Sequence, residues 1–440
     1  MSVFLSAPDL SYTSTAAQLF QSKPTTVDSL PTERSATDVS GLWGTLHLTE
    51  TTNLSLLADW VVRAKKTGLY ICIDFHRSAD RLWNGHFDDD TDPLSPANSS
   101  LKLAQVLEVL CASSRTWHSL TILGATFLSP ILKADLSSLR NAPHLLCISI
   151  ILEHNEETSG PTTADGSSIF HRPLPDSTIP HVAISNYSLI WETFPFHTLT
   201  SLTLGPFIAG NRLPWDLFFG AIGGSQVLLS LVFTGAIPST TQAQHLHLHL
   251  TLPSVRTPSL SRLVQSNLQH LTDYMSLPSL TSLILCLANE TQDFLPFMQS
   301  LPGRFPHLTD LSIDQLWIPN RNLASLPPFF EHFAALMHLR LNFQSIYDLH
   351  MCFGDALLQN THQPNFLPSL TSVVLANVPI RSVQDFVFLR MHGSRPISHL
   401  TLHHTEVFLT ECTPAWTTWL VDNTKELLLT YGSHRPWALE

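Results

Sequence analysis

Charge is what this sequence has least of. Only 13% of its 440 residues are Asp, Glu, Lys or Arg, against roughly 25% in ordinary globular chains. Acids outnumber bases, 35 to 23, which leaves a formal charge of −12 with His neutral. No basic stripe interrupts that balance, so a nucleic-acid backbone is excluded as the main partner. Long hydrophobic runs are missing as well. No uninterrupted apolar stretch reaches the roughly 18 residues of a membrane-spanning helix, so no membrane partner is expected. Residues 1–10 carry neither a basic segment nor a continuous apolar core and do not read as a signal peptide. A cytoplasmic or nuclear placement is the corresponding expectation, and on it the Asn-x-Ser/Thr sites at Asn53, Asn98, Asn186 and Asn289 are discounted.

Cysteine is scarce, and its spacing carries no chemistry. The six residues are Cys72, Cys111, Cys147, Cys286, Cys352 and Cys412, with no CxxC pair among them. That excludes a zinc ribbon and argues against a disulfide framework, which suits much shorter secreted chains. Most sit in apolar runs such as Ile71-Cys72-Ile73 and Leu285-Cys286-Leu287, so they are expected to be buried as small hydrophobes. Glycine-rich phosphate loops of the GxGxxG and GxxxxGK[ST] types do not occur, nor do GxSxG, HExxH or SxxK signatures. The chain is therefore read as a non-enzyme without a cofactor. Phe87-Asp88-Asp89-Asp90-Thr91-Asp92 lacks the alternating acids, central Gly and terminal Glu of a calcium loop and reads as a solvated acidic loop.

What the chain does have is apolar content, at 44%, arranged in a phrase that keeps returning. It reads Phe305-Pro306-His307-Leu308-Thr309-Asp310-Leu311-Ser312-Ile313, then Leu277-Pro278-Ser279-Leu280-Thr281-Ser282-Leu283-Ile284-Leu285. It returns as Leu367-Pro368-Ser369-Leu370-Thr371-Ser372-Val373-Val374-Leu375 and, without proline, over 336–341 and 199–204. Taking the first Leu-type position gives Leu120, Leu145, Leu199, Leu228, Leu280, Leu308, Leu336, Leu370 and Ile397. The spacings are 25, 54, 29, 52, 28, 28, 34 and 27 residues. The two long gaps are close to twice a unit and hold weaker strand candidates over 179–184 and 245–250. Units of about 20–29 residues with one strand and one return apiece are leucine-rich repeats, too small to bury an apolar face except by stacking.

The expected fold is accordingly α/β: a leucine-rich-repeat solenoid with a curved parallel sheet on its concave side and helices or irregular returns on its convex side. A doubly wound α/β domain is the competing reading, but its strands would be continuous apolar runs, and these alternate. Residues 1–40 read as a flexible Ser/Thr-rich arm, 41–430 as the repeat array, and 431–440 as a tail. Polar insertions are expected near 86–100 and over 154–178. Helical spacing is visible over 54–66, 101–111, 215–222, 291–300, 329–335, 383–390 and 416–428. Trp416 and Trp419, three residues apart, are expected to cap the last repeat.

The segment 42–75, with Leu42-Trp43 followed by a strand, a helix ending in basic residues and a second strand, resembles the large fungal family of F-box and leucine-rich-repeat-like proteins. The resemblance covers residues 40–430 and implies a substrate receptor of an SCF-type ubiquitin ligase, with a Skp-type adaptor and a cullin complex as partners. An F-box would stand just ahead of Trp43. Leu30-Pro31-Thr32-Glu33 matches its opening, but Arg34-Ser35-Ala36-Thr37-Asp38 supplies no apolar stripe, so the F-box is read as truncated or absent.

Within each strand the Leu positions point inward and the residues between them face out. That names a partner-binding surface of Asp310, Ser312 and Asp314, then His338, Arg340 and Asn342, then His399, Thr401 and His403. The run His245-Leu246-His247-Leu248-His249-Leu250 would place His245, His247 and His249 on the same face. Two of those imidazoles, about 6.6 Å apart along a strand, could share a zinc ion, yet no further ligand completes a set. They are read as part of a polar protein-binding face. A hydrolase-like site assembled only in three dimensions is the remaining alternative.

Overall fold

A computed structural model describes residues 44–64, 67–75, 96–125, 128, 131–132, 142–153, 179–186, 196–207, 215–223, 225–235, 237, 249–287, 297, 300–301, 304–316, 330, 333–343, 367–378, 380–392, 395–404 and 414–431. The chain divides into two compact units, Arg34–Leu283 and Ile284–Glu440. The first contains β1 (Thr45–Thr49), β2 (Leu69–Asp74), β3 (Trp117–Ala125), β4 (Cys147–Glu153), β5 (His181–Ser185), β6 (Ser201–Leu204), β7 (Ser230–Thr234) and β9 (Thr257–Ser261). Each pairs in parallel with the next in chain order. A separate parallel pair is made by β8 (Leu250–Thr251) and β10 (Met275–Ser276). The strand β11 (Ser282–Cys286) carries the chain across the boundary in sequence. The second unit holds β12 (Asp310–Leu316), β13 (His338–Phe343), β14 (Ser372–Ala376), β15 (His399–His404) and β16 (Glu426–Tyr431), again parallel and in order. Fourteen strands thus belong to open parallel sheet, with no closed barrel among the described residues.

Parallel neighbours need a crossover on one side of the sheet, and helices supply part of it. Those of the first unit are α1 (Leu54–Ala64), α2 (Pro96–Cys111), α3 (Trp215–Ile222) and α4 (Gln265–Tyr274). Those of the second are α5 (Ile380–His392) and α6 (Pro414–Asn423). The fold class is α/β, as expected.

Register is fixed by the same apolar position in eleven strands. Two residues ahead of the first outward residue of β3 to β7, β9 and β11 to β15 stand Trp117, Leu145, Ile179, Leu199, Leu228, Val255, Leu280, Leu308, Leu336, Leu370 and Ile397, none more than 1% exposed. Full burial of such a side chain contributes about 2 kcal/mol. Ile179 and Val255 split the two long gaps, so each gap holds one complete extra unit. In the third strand the equivalent residue is Trp117 and not Leu120, which lies three residues on, inside β3. The weak candidate over 179–184 is β5. Of the candidate over 245–250 only residues 249–250 are described, Leu250 opening β8; the strand that pairs with β7 is β9, with Pro258 inside it.

Successive strands in both units are entered through the same backbone joint. One carbonyl accepts two successive N–H groups of the next unit: Pro180 from Thr200 and Ser201, Thr200 from Leu229 and Ser230, Leu229 from Arg256 and Thr257. In the second unit Thr309 accepts from Met337 and His338, Met337 from Thr371 and Ser372, and Thr371 from Ser398 and His399. The threonine of the Leu-Thr-Ser phrase adds its hydroxyl to the joint, as when Thr371 Oγ1 donates to Met337 O. Strand exits also recur. Asn186, Gly235, Arg262, Gln315 and Asn377 all adopt the left-handed conformation, with φ of 52°, 72°, 54°, 55° and 59°. Asn tolerates that region, and at two exits it is put to use: Asn186 Nδ2 donates to Leu152 O at 2.8 Å, and Asn377 Nδ2 to Phe343 O at 2.6 Å.

Two boundaries differ from expectation. Residues 96–100, read as part of a polar loop, are the first turns of α2, where Ser99 is buried and donates to Glu50 at 3.0 Å. Residues 416–428, read as one helix, divide into α6 and β16. Leu427 and Leu429 are needed in register with Leu400 and Leu402, and ladder pairing overrides helical spacing there. Residues 1–40, the insertion over 154–178 and most of 291–300 lie outside the described residues.

The recurring Leu-Pro-Ser-Leu turn before β14 is clamped by a buried cation. Arg390 of α5, 4% exposed, donates from Nη1 to Leu367 O at 2.9 Å and from Nη2 to Leu370 O at 2.8 Å. Burial, with nearby Arg395 adding to it, pushes its pKa down to about 10, so it stays charged at neutral pH. Charge-assisted bonds of this kind contribute about 1.5–3 kcal/mol each. Arg390→Leu is expected to lower unfolding free energy by about 3 kcal/mol in urea titration, with Arg390→Lys recovering part of that loss.

Candidate recognition face

In the second unit the residues left between the inward Leu, Ile and Val positions form rows across the strands. One row runs Asp310, His338, Ser372, His399, Glu426, and the next Ser312, Arg340, Val374, Thr401, Leu428. His338, Arg340, His399 and Glu426 are exposed, while Asp310, Ser312 and Thr401 are half-buried among their neighbours. Six of the residues named from the sequence therefore lie where alternation placed them: Asp310, Ser312, His338, Arg340, His399 and Thr401. Asp310 Oδ2 accepts from Thr309 Oγ1 at 2.6 Å and lies 4.0 Å (Oδ1) from His338 Nε2. His399 Nδ1 sits 2.9 Å from Glu426 Oε2.

Asp314 and Asn342 are corrections, being buried at 6% exposure each. Both stand at the fifth residue of their strand, where the ladder ends in a different device. Asn342 Nδ2 donates to Asp314 Oδ1 at 2.5 Å, Cys286 Sγ donates to Asp314 Oδ2 at 3.6 Å, and Asn377 Nδ2 donates to Asn342 Oδ1 at 3.1 Å. The register of β12 shifts after Ile313, next to left-handed Gln315, which takes Asp314 out of the outward row. His403 belongs to the same strand-end row and lies 2.5 Å (Nδ1) from Thr430 Oγ1, half-buried. These three residues bond sideways at strand ends; Asp314 and Asn342 are closed off from the open face, while His403 keeps the outward register of β15 and is half-buried there. His249 is exposed but precedes β8, off the main ladder, so it is not on this face either. His245 and His247 lie outside the described residues.

Sequence reading missed Glu426 and Leu428 because they had been assigned to a helix. Ser372 and Val374 were legible, since the Leu-Pro-Ser-Leu phrase fixes their phase. The outward positions of the first unit include Ser119, Thr121, Ser149, Thr203 and Ser230, all half-buried, beside exposed His47, Tyr70 and His181 and half-buried Asp74, whose Oδ2 lies 3.9 Å from His47 Nε2.

Cys72 and Cys147 also occupy outward rows and are half-buried, not inside the core as expected. The reason is phase: each is flanked by the Leu and Ile residues that take the inward positions. Burial first, then the charge of Asp74, pushes the Cys72 thiol up to about 11. Burial likewise raises Cys147 against a hydrogen bond from Ser119. Among the described residues no group of three His, Cys, Asp or Glu is placed to hold a metal ion, and no described helix is long and apolar enough to cross a membrane. No protein-family model matches the chain, and no curated protein is significantly similar to it.

Burial raises the Asp314 carboxyl, opposed by its bonds from Asn342, Cys286 and the Gln315 backbone and by the charge of Arg340. A carboxyl raised on folding contributes stability that is fully present below the unfolded pKa of about 3.9 and is lost as pH rises through the folded value. Urea titrations from pH 4 to pH 8 should therefore show Asp314→Asn gaining on the wild type as pH rises. Asp314→Ala, which strips Asn342 and Cys286 of their acceptor, should cost about 1–3 kcal/mol. At pH 8 the Cys72 thiolate is scarce, and iodoacetamide should label it on the order of 100-fold more slowly in the native chain than in urea.

Proposed function

We propose that the chain is a non-catalytic recognition scaffold, a leucine-rich-repeat-like solenoid whose open strand faces bind a protein partner. The observation that carries this reading is the joint described above: one carbonyl, two N–H groups and one buried Leu-type residue, repeated at successive strand entries in both units. Such repetition fixes the inward positions and leaves the outward ones to vary, which is the arrangement repeat proteins use for binding. The varying positions hold Asp310, His338, Arg340, His399 and Thr401 in the second unit, and His47, Tyr70, Asp74 and His181 among small hydroxyl residues in the first. Arg is enriched at energetically dominant contacts, and Ser and Thr are under-represented there.

The resemblance to fungal F-box and leucine-rich-repeat-like proteins adds a second reading, a substrate receptor that meets a Skp-type adaptor through residues 1–40 and presents substrate to a cullin complex. It requires that Leu30-Pro31-Thr32-Glu33 open a working F-box. Cytoplasmic or nuclear placement goes with both readings.

The test replaces Ser372, in the middle of the face, with a photo-crosslinking amino acid in the full chain, and Asp422 on α6 as control. Irradiation in cell extract should give a discrete protein adduct from position 372 and none from 422. Arg340→Glu combined with Asp310→Lys should abolish association with that adduct's protein while moving the melting temperature by less than about 2 °C, as suits surface substitutions. Absence of any adduct at 372 rejects the surface. Co-purification of the full chain with a Skp-type adaptor would favour the second reading over the first.

A further inference from the structure

The strand order of the second unit ends at β16, which pairs with β15 on one side and with no described strand on the other. Its inward residues show the consequence. Leu400 and Leu402 of β15 are 1% and 2% exposed, whereas Leu427 and Leu429, in register with them, are only half-buried. Leu428 on the outward row is 56% exposed, and α6, which leads into β16, leaves Val421 exposed as well. In the first unit β1 also pairs on one side only, yet its inward Leu46 and Leu48 are buried. Stacked repeats need a polar cap at their ends, and exposed strand edges are ordinarily protected by proline, a bulge or charge. β16 has no proline, pairs with β15 without a register shift, and carries one charge, Glu426, already bonded to His399.

The open edge has a fixed hydrogen-bonding phase. Glu426 N–H donates to Ser398 O at 2.9 Å, so Glu426, Leu428 and Thr430 turn their backbone groups toward β15. Leu427 and Leu429, between them, aim their N–H and C=O groups at the open edge. In an antiparallel ladder, residues that exchange both bonds stand directly opposite each other. A two-fold axis through Leu428, normal to the sheet, sets Leu427 opposite Leu429 of a second copy and Leu429 opposite its Leu427, so the residues with open groups meet. Leu428 then faces its own copy in the non-hydrogen-bonded position, with Cα atoms about 4.5 Å apart and side chains at their closest. This register matches leucine to leucine at all three positions. Charge fits as well: Glu426 falls opposite Thr430 and Lys425 opposite Tyr431, so no like charges face each other.

We propose that β16 pairs antiparallel with β16 of a second copy of this chain, joining the two sheets edge to edge about a two-fold axis at Leu428. The pairing covers Leu427 and Leu429 of both copies and buries Leu428 against its symmetry mate. Such an interface is isologous and closes at two chains. Because the axis is normal to the sheet, the outward rows of both copies face the same side, and the residues on β12 to β15 are presented twice on one surface. The inference does not depend on what that surface binds.

Sedimentation of the full chain at concentrations up to about 100 µM tests it, since a small interface of this kind gives a dissociation constant on the order of micromolar. Wild type should form dimers. Leu428→Lys should remain a single chain throughout, because it sets two ammonium groups against each other at the axis, and mixing it with Leu428→Glu should recover the dimer. Circular dichroism checks that these variants keep their helix and strand content. Leu428→Cys gives a second readout without a charge at the edge. Mild oxidation should link it into a disulfide dimer that neither wild type nor Ser372→Cys, two strands away from the edge, produces. If Leu428→Lys fails to fold, the cysteine pair decides alone. A wild type that stays a single chain at about 100 µM overturns the inference. So does a Leu428→Lys dimer as tight as wild type, or oxidation that leaves Leu428→Cys unlinked.

Discussion

One hydrogen-bonding joint governs the rest of this structure. A carbonyl at the foot of one strand receives two consecutive N–H groups from the next, and that double bond sets the parallel register. Because side chains alternate strictly along a strand, a slip of one residue would send the whole inward set to solvent. A buried apolar residue two places ahead of most strands prevents it: Leu308, Leu336 and Leu370 all sit at 1% exposure or less. Apolar burial and backbone pairing therefore enforce the same answer in every unit. The scarcity of charge is a consequence. Outward strand positions lined by Ser, Thr and His need few ions to stay hydrated.

Against this common frame the strand exits differ. A left-handed residue ends several strands, and where it is Asn the side chain bonds the neighbouring unit. In the second unit the row of Cys286, Asp314, Asn342 and Asn377 links four successive units by side chains as well as backbone. The cost is a buried carboxyl whose pKa is raised by burial, tolerated because each of its oxygens has a donor. An ionisable group kept inside in this way serves the scaffold, and it leaves the outward rows free for chemistry unrelated to folding.

The two faces show what that freedom allows. In the first unit the outward rows carry small hydroxyl residues and half-buried thiols together with His47, Tyr70, Asp74 and His181, and the Cys72 thiol is held protonated near neutral pH. In the second they carry His, Arg, Asp and Glu around the short side chains of β14. The recognition role proposed above rests on the second pattern.

Much of this was legible in the residues themselves. The Leu-Pro-x-Leu-x-x-Leu-x-Leu phrase gave the period, the inward positions and six outward residues, because period-two alternation and a fixed spacing are local properties of the chain. The α/β class followed from them. Four things were decided only by tertiary structure. Trp117 replaces Leu120 as the repeat's anchor because register, not residue type, defines equivalence. The stretch over 426–431 becomes a strand because β15 offers it a partner. His249 leaves the face because β9, and not the histidine-rich run, pairs with β7. Asp314 and Asn342 turn inward because strand ends bend and bond sideways to neighbours distant in sequence. Local pattern fixes which way a side chain points along a regular strand; where strands begin, end and find partners depends on contacts between units, and those no single segment encodes.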